Sequence, residues 1–178
     1  MIIIRWHGRG GQGAFTAAKL LGAAYSSGDN RYALAFPSFG PERRGASVRA
    51  FTKLDNKPIG NRSEGKKCDF IVILDDTLFD SSYLDDLNDN GRLIINSKSN
   101  FSDSRILSID ALSIAEEELK APITNTAMLG ALLGVLHDIS QDQILNAVQD
   151  YLPKKIVDKN RSVIIRCTTA IKAKEAAI

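Results

Sequence analysis

Cysteine is nearly absent from this sequence, which has only Cys68 and Cys167 among its 178 residues. Iron–sulfur clusters and structural zinc ions are held by sets of ligands in which closely spaced cysteines predominate. Two thiols so far apart exclude such a framework carried by this chain alone. Isolated thiols of this kind are typical of buried small hydrophobic side chains in a reducing compartment, so we expect a cytoplasmic protein.

An excess of one charge and long apolar runs are also lacking. Lysine and arginine total 23 against 21 aspartates and glutamates, which leaves a formal net charge of +2 and no basic stripe. This balance gives no support for nucleic-acid binding. No apolar run approaches the ~20 residues of a membrane span, and the start of the sequence does not have the pattern of a secretion signal. We expect neither nucleic acid nor membrane as a partner.

The common signatures of complete active sites are missing as well. The sequence has no nucleophile elbow, no Walker loop, no His-Glu-x-x-His motif and no plausible catalytic triad. Taken alone, the chain is not expected to break or form bonds.

The most informative stretch that is present runs from Ile2 to Gly28. An unbroken β-branched run, Ile2-Ile3-Ile4, predicts a strand covered on both faces. It leads into Gly8-Arg9-Gly10-Gly11-Gln12-Gly13, and apolar residues at helical spacing follow from Phe15 to Tyr25. The pattern therefore predicts a strand, a glycine turn and a helix, with later segments laid beside them.

The glycine turn leaves three interpretations open. Glycines at 8, 10 and 13 allow backbone amides to approach a ligand, and the helix directs its positive end there, so the turn favours an anionic group. The same spacing matches the dinucleotide fingerprint, but the second strand ends in Phe36-Pro37-Ser38 without the carboxylate that would hold the NAD ribose. A tight turn without any ligand is the third interpretation.

The remaining pattern predicts an α/β fold: a Rossmann-like open, mostly parallel sheet with helices on both faces and one antiparallel strand. The antiparallel strand is the third, at Ala46 to Leu54, because its connection from the second strand is short. We expect one domain, residues 1–178. The other predicted elements are strands at Tyr32 to Phe36, Asp69 to Asp75, Arg92 to Asn96 and Arg105 to Ile109, a turn at Asn88 to Gly91, and helices at Ala111 to Leu119, Thr126 to His137, Ser140 to Tyr151 and Pro153 to Ala177.

Charged residues are expected to collect at the carboxyl edge of this sheet, where open α/β sheets bind ligands. Arg43 and Arg44 suit a phosphate or a partner's carboxylate, or else they pair with Glu42 or with acidic residues of another chain. Arg9 would add a third positive charge. The candidate binding residues are Gly8, Arg9, Gly10, Gly11, Gln12, Gly13, Ser38, Arg43 and Arg44.

Three further side chains have competing interpretations. Asp75 and Asp76 could form a metal or acid/base pair, but their place at a strand end before Thr77 favours a helix cap. His7 precedes the glycine turn and either points into the pocket or has a structural role. Gly130 and Gly134, four residues apart, predict close packing of their helix on the sheet or on another subunit.

Three motifs together resemble a known family. They are Ile4-Arg5-Trp6-His7-Gly8-Arg9-Gly10-Gly11-Gln12-Gly13, the stretch from Phe36-Pro37-Ser38-Phe39-Gly40-Pro41 to Glu42-Arg43-Arg44-Gly45-Ala46, and Asn125-Thr126-Ala127-Met128-Leu129-Gly130-Ala131. Over nearly its whole length the chain resembles the gamma subunit of 2-oxoacid:ferredoxin oxidoreductases, most closely that of the pyruvate enzyme.

The resemblance implies one non-catalytic component of a complex that oxidatively decarboxylates a 2-oxoacid, transfers the acyl group to coenzyme A and passes electrons to ferredoxin. It places thiamine diphosphate in the alpha and beta subunits and iron–sulfur clusters in the beta and delta subunits. For this chain the resemblance implies a surface that faces those subunits, and it makes coenzyme A a candidate ligand of the glycine turn. The alternatives are a free-standing regulatory domain that binds a nucleotide or coenzyme A, and a structural adaptor that binds nothing.

Overall fold

The computed structural model describes residues 1–38 and 46–177. Along the chain, one α-helix follows the first strand, the other five strands come next, and four α-helices follow the last strand. The strands are β1 (Ile2–Arg9), β2 (Tyr32–Ser38), β3 (Ser47–Asp55), β4 (Cys68–Ile73), β5 (Leu87–Asn96) and β6 (Ile106–Ile109). The α-helices are α1 (Ala14–Ser26), α2 (Ala111–Leu119), α3 (Asn125–Leu133), α4 (Gln141–Tyr151) and α5 (Lys154–Glu175).

The six strands form one sheet in the order β2-β3-β1-β4-β5-β6. β4, β5 and β6 continue parallel from β1, whereas β3 runs antiparallel to both β1 and β2. The expected mostly parallel sheet with the third strand reversed is therefore confirmed. The parallel strands carry their carboxyl ends to the edge where the glycine turn begins.

The end of β2 differs from the prediction. The sequence predicts that this strand ends before Pro37, but the strand includes Pro37, which lies opposite Ala50, and ends at Ser38. Proline is tolerated because β2 is an edge strand, so its missing amide does not interrupt a central ladder. The two extra residues place Ser38 at the carboxyl edge.

The predicted turn at Asn88 to Gly91 is wrong. These residues lie within β5, at a break in register between β4 and β5 that separates Cys68 from Phe70. Asn88 donates from Nδ2 to Oδ1 of Asp69 at 2.7 Å, which holds the irregular segment in place. A Cβ on Gly91 would come within 2.9 Å of the Asn88 carbonyl oxygen, so turn-forming residues here serve a bulge.

Helices cover both faces of the sheet, but unequally. On one face all five α-helices share a large core with sheet residues such as Trp6, Val72 and Ile94. The other face carries a smaller cluster under two short 3-10 helices, Asp76–Leu78 and Ser81–Asp86. The predicted two-sided architecture is confirmed, and the second side is a thin layer.

The close packing predicted for Gly130 and Gly134 occurs against α5 and not against the sheet. A Cβ on Gly130 would lie 2.5 Å from the carbonyl oxygen of Ile164, and one on Gly134 would lie 2.5 Å from Cγ2 of Ile171. The hydroxyl of Thr168 donates to the carbonyl oxygen of Gly130 at 2.8 Å. α5 therefore sits on the backbone of α3.

α5 is 22 residues long, which exceeds the length of every other helix in residues 1–38 and 46–177. Lysine and arginine recur along it, and α3, the most apolar of the helices, has only 9 residues. None of the described helices combines the length and the apolar character that crossing a bilayer demands.

Candidate functional site

The glycine turn joins β1 to α1, and its glycines have different roles. Gly11 and Gly13 have positive φ angles of 96° and 80°, which other residues rarely adopt. Gly8 lies at the end of β1, where a Cβ would be 3.2 Å from the Cβ of Ala14, so its small size lets the helix start close to the strand. The turn predicted from the sequence is present.

Several amides of the turn are used to hold its own shape. The amide of Arg9 donates to Oε1 of Gln12 at 2.7 Å, and the amide of Gln12 donates to the carbonyl oxygen of Arg9 at 2.9 Å. The amide of Gly10 donates to the carbonyl oxygen of Ala46 at 2.9 Å. These three donors are therefore occupied by the protein.

The donors that remain belong to the next residues along the chain. In the described ranges no protein group accepts from the amides of Gly11, of Gly13 or of the first turn of α1, at 14–16. The N-cap residue, Gly13, has no side chain to satisfy them, and no acidic residue lies in that first turn. Such a helix start presents donors and the positive end of the dipole to an anion.

Arg9 connects the turn to the end of β4. Its guanidinium donates from Nε to Oδ2 of Asp75 at 3.1 Å and from Nη2 to the hydroxyl of Thr77 at 2.7 Å, while Gln12 donates to the same Oδ2 at 3.0 Å. The expected meeting of Asp75 with the glycine turn is thus confirmed. Arg9 braces the turn, and its contribution to ligand binding stays a prediction.

Asp75 acts as a helix cap, as favoured from its position. Its carboxylate accepts from the amide of Thr77 at 3.1 Å and caps the first 3-10 helix. Partial burial alone would raise the pKa of Asp75, but hydrogen bonds from Thr77 and Gln12 and the charge of Arg9 outweigh it and keep the pKa below its ordinary value. The group is an ionised structural acceptor.

An open cleft of 410 Å³ lies in front of the first turn of α1. Its walls are the glycine turn, the start of α1, the end of β2 with Ser38, and the start of β3 with Val48 and Arg49. Ser38, predicted as a binding residue, therefore meets the glycine turn. Arg43 and Arg44 lie outside the described residues, and Ser38 and Ala46, the described neighbours of that stretch, both stand at this edge.

Arg49 is a cleft residue that the sequence analysis did not single out. Its side chain is 44% exposed, and its Nη2 lies 3.3 Å from Oε2 of Glu64, whose other oxygen accepts from the hydroxyl of Ser38. An exposed pair of this kind holds the cation only weakly, so it remains accessible to a ligand. The predicted antiparallel direction of β3 could have identified Arg49, because it places the start of that strand beside the end of β1.

Asn125 brings the third sequence motif to the same place. It is the first residue of α3, and its Nδ2 atom would be only 2.5 Å from a Cβ on Gly13. Thr124 occupies the N-cap position without a side-chain hydrogen bond. Gly13 therefore has two reasons to be glycine: its positive φ angle and the side chain pressed against it.

His7 has a structural position and does not point into the cleft. Its ring is 2% exposed, stacks on Tyr83 with centroids 4.4 Å apart, and has no hydrogen-bond partner for either nitrogen in the described part of the chain. Burial, and then the nearby charges of Arg5 and Arg49, lower the pKa of His7 to about 3. The imidazole is neutral at physiological pH.

Because His7 stays neutral in the folded protein but binds a proton with an ordinary pKa when unfolded, acid should destabilise the fold before most carboxylates titrate. The stability contribution is complete above about pH 6.5 and falls as the pH drops from there toward 3. Between pH 7 and pH 5 we expect a loss of about 2 kcal/mol in the free energy of unfolding.

Urea denaturation at pH 7, 6 and 5 measures this slope. His7→Phe keeps a ring against Tyr83 and should flatten the profile over the same range. An equal slope in the variant and the unaltered protein would assign the acid sensitivity to other groups.

Neither cysteine has the environment of a metal or cluster ligand. Cys68 and Cys167 are buried in the two different cores, on opposite faces of the sheet. Burial raises the pKa of Cys68 to about 11 and that of Cys167 to about 12, so both are protonated thiols. Within residues 1–38 and 46–177, no three histidine, cysteine or carboxylate side chains gather as metal ligands.

Known proteins are similar to this chain over almost its whole length. The family described as pyruvate ferredoxin/flavodoxin oxidoreductase matches residues 3–170. Pyruvate synthase subunit PorC of Methanothermobacter thermautotrophicus is 44% identical over 163 residues, which cover 90% of this chain and 90% of that protein. The pyruvate/ketoisovalerate oxidoreductases common subunit gamma of Pyrococcus furiosus is 40% identical over 171 residues and covers 90% and 91% of the two chains.

A solved structure shares the fold. The crystal structure of pyruvate oxidoreductase subunit PORC from Thermotoga maritima superposes with a TM-score of 0.82 at 32% identity, over 94% of this chain and 95% of that one. The resemblance drawn from the three sequence motifs is therefore confirmed.

Proposed function

The chain belongs to the pyruvate ferredoxin/flavodoxin oxidoreductase family, and we propose from this premise that it is the gamma subunit of a multisubunit cytoplasmic complex. That complex oxidatively decarboxylates pyruvate or another 2-oxoacid in a coenzyme A-dependent reaction and passes the electrons to ferredoxin. Residues 1–178 act as one gamma-type domain beside alpha, beta and delta subunits.

The chain's own residues support a non-catalytic role in that complex. Its cysteines are buried protonated thiols, and its one buried histidine is neutral and packed against Tyr83. The family resemblance implies that thiamine diphosphate and the iron–sulfur clusters are bound by the partner subunits. This subunit contributes an interface and part of a binding site.

The cleft in front of α1 is the proposed place for the anionic nucleotide end of coenzyme A. Amides from Gly11 to the first turn of α1 are available as donors, and Arg49 supplies a cation on the facing wall. The volume of 410 Å³ lies within the ~300–1,000 Å³ usual for ligand pockets. These free amides carry the proposal, with Arg43 and Arg44 as further candidate cations.

A reconstitution experiment tests the subunit role. The isolated chain should show no turnover of pyruvate with coenzyme A and ferredoxin, whereas the complex containing it should be active. Turnover by the pure chain would contradict a non-catalytic role, and full activity of the remaining subunits without this chain would contradict its contribution to the binding site.

The second candidate function, a free-standing domain that binds a nucleotide or coenzyme A, is favoured by the same available amides. Calorimetry of the isolated chain with coenzyme A, NAD and ATP separates the two. The cleft is open on one side, so we expect a tight site only in the assembled complex. Tight binding to the lone chain would favour the second candidate.

A further inference from the structure

A small apolar groove lies between the end of α2, the start of α3 and the first turns of α5. Its volume of 190 Å³ is below the ~300–1,000 Å³ of pockets for cofactors, so it suits a single inserted side chain. Ile123 on its rim is 48% exposed, so its side chain is accessible to a partner. The apolar wall consists of Leu119, Ile123, Leu152 and Ile156.

The charge that borders this groove is positive. Lys155 and Lys159 line it from one face of α5, one helical turn apart. Neither ammonium forms an ion pair with a carboxylate in residues 1–38 and 46–177, and no carboxylate lines the groove. Lys120, also exposed, directly follows Leu119 of the wall.

Two of the polar side chains that line the groove, Thr126 and Asn160, form hydrogen bonds within the protein. The hydroxyl of Thr126 donates to Oδ1 of Asn160 at 2.6 Å, and Nδ2 of Asn160 donates to the carbonyl oxygen of Ile156 at 2.8 Å. Lys155 and Lys159 are the charged residues that line the groove, so the groove favours a negatively charged ligand.

The lysines at the start of α5 interact unfavourably with the dipole of that helix. Lys154 and Lys155 occupy the first turn of α5, which contains no acidic residue. Cations at a helix N-terminus are disfavoured by the helix dipole, whereas a bound carboxylate would offset both charges. An acidic partner thus relieves an unfavourable feature of the isolated chain.

We propose that this groove docks an acidic segment of a partner subunit, which inserts one apolar side chain beside Ile123 and places carboxylates against Lys155 and Lys159. An apolar anchor flanked by charges that steer association is a common arrangement at interfaces. The inference rests on the proposed function, since it requires that the chain works inside a complex. It adds the docking surface and the chemistry of the segment that occupies it.

The test measures association of the full chain with the purified alpha, beta and delta subunits by biolayer interferometry. The variant Lys155→Glu/Lys159→Glu should weaken association by ~10-fold or more, and Ile123→Ser should weaken it several-fold. The control, Lys57→Glu/Lys172→Glu, makes the same change in net charge at exposed lysines outside the groove and should bind within about twofold of the unaltered chain. Thermal unfolding verifies that all three variants fold.

Each outcome of these association measurements either supports or overturns the proposed docking surface. Equal association of the groove variants and the control, when the unaltered chain binds, would overturn the docking surface and leave the subunit role intact. Failure of the unaltered chain to bind would overturn both. Lysine-dependent binding to vesicles of phosphatidylserine and phosphatidylcholine, with unchanged subunit association, would assign the groove to a membrane surface and also overturn the proposal.

Discussion

Gly130→Ala is expected to lower the free energy of unfolding by about 3 kcal/mol. The added methyl would lie 2.5 Å from the carbonyl oxygen of Ile164 and 2.7 Å from its Cα, and a backbone cannot yield as a side-chain tip can. α5 would have to move away from α3, which would also strain the hydrogen bond from Thr168 to the carbonyl oxygen of Gly130. Urea denaturation followed by circular dichroism measures the loss.

Gly22→Ala is the matched control, because it makes the same change inside a buried helix. A Cβ there would meet the Cβ of Ala33 at 3.5 Å, which is ordinary contact. Alanine also favours the helix over glycine by up to ~1 kcal/mol, so this variant should be as stable as the unaltered protein or slightly more so. A loss from Gly130→Ala no larger than the change at Gly22 would contradict the close contact of α3 with α5.

Gly13→Ala is expected to cost about 3 kcal/mol through two separable effects. The φ angle of 80° is strained for alanine, and the methyl would meet Nδ2 of Asn125 at 2.5 Å. Gly11→Ala isolates the first effect, because Gly11 has a φ angle of 96° but nothing within 4 Å of its Cβ position. It should cost only about 1–2 kcal/mol.

A double-mutant cycle isolates the second effect at Gly13. An Asn125→Ala background removes the contact at 2.5 Å and leaves only the Cβ of residue 125, at 3.3 Å, so Gly13→Ala should cost little more than Gly11→Ala does. Chemical denaturation of the four proteins in the cycle gives a coupling of about 1 kcal/mol or more. Additive changes would show that the first and third sequence motifs do not meet at this point.

The sequence was sufficient for the features that local pattern determines. Strand β1, the glycine turn and α1 follow one another because β-branched residues, glycines and helix-spaced apolar residues each favour one structure. Asp75 could be assigned as a cap because Thr77 follows at the right distance. Gly130 and Gly134 predicted a close packing surface, although they did not identify α5 as its partner.

The features that it missed depend on tertiary position. Pro37 continues β2 because that strand lies at an edge, and Gly91 lies in a bulge because it crowds the backbone of β4 and β5. Arg49 reaches the cleft only through the pairing of β3 with β1, and Asn125 reaches Gly13 across more than a hundred positions. The local periodicity of a sequence carries no information about contacts between residues that are far apart along the chain.

Which backbone amides of the glycine turn are available to a ligand also depends on tertiary position. Spacing alone suggested that residues 8–13 donate to a ligand, but the side chain of Gln12 and the carbonyl oxygen of Ala46 take the first of these donors. The donor set is therefore displaced toward Gly11, Gly13 and the start of α1. Only the three-dimensional turn shows which amides are left.

The apparent KM for coenzyme A in the reconstituted complex tests most directly whether coenzyme A binds at the glycine turn. Replacing Arg49 removes a cation from the cleft wall, so Arg49→Ala should raise this KM by ~10-fold or more, as expected for a charge-assisted hydrogen bond. Arg43→Ala/Arg44→Ala should do the same. The KM for the 2-oxoacid and kcat at saturating coenzyme A should be unchanged, as should every constant in the exposed control Arg62→Ala. An unaltered KM for coenzyme A both in Arg49→Ala and in Arg43→Ala/Arg44→Ala would contradict a coenzyme A site at the glycine turn.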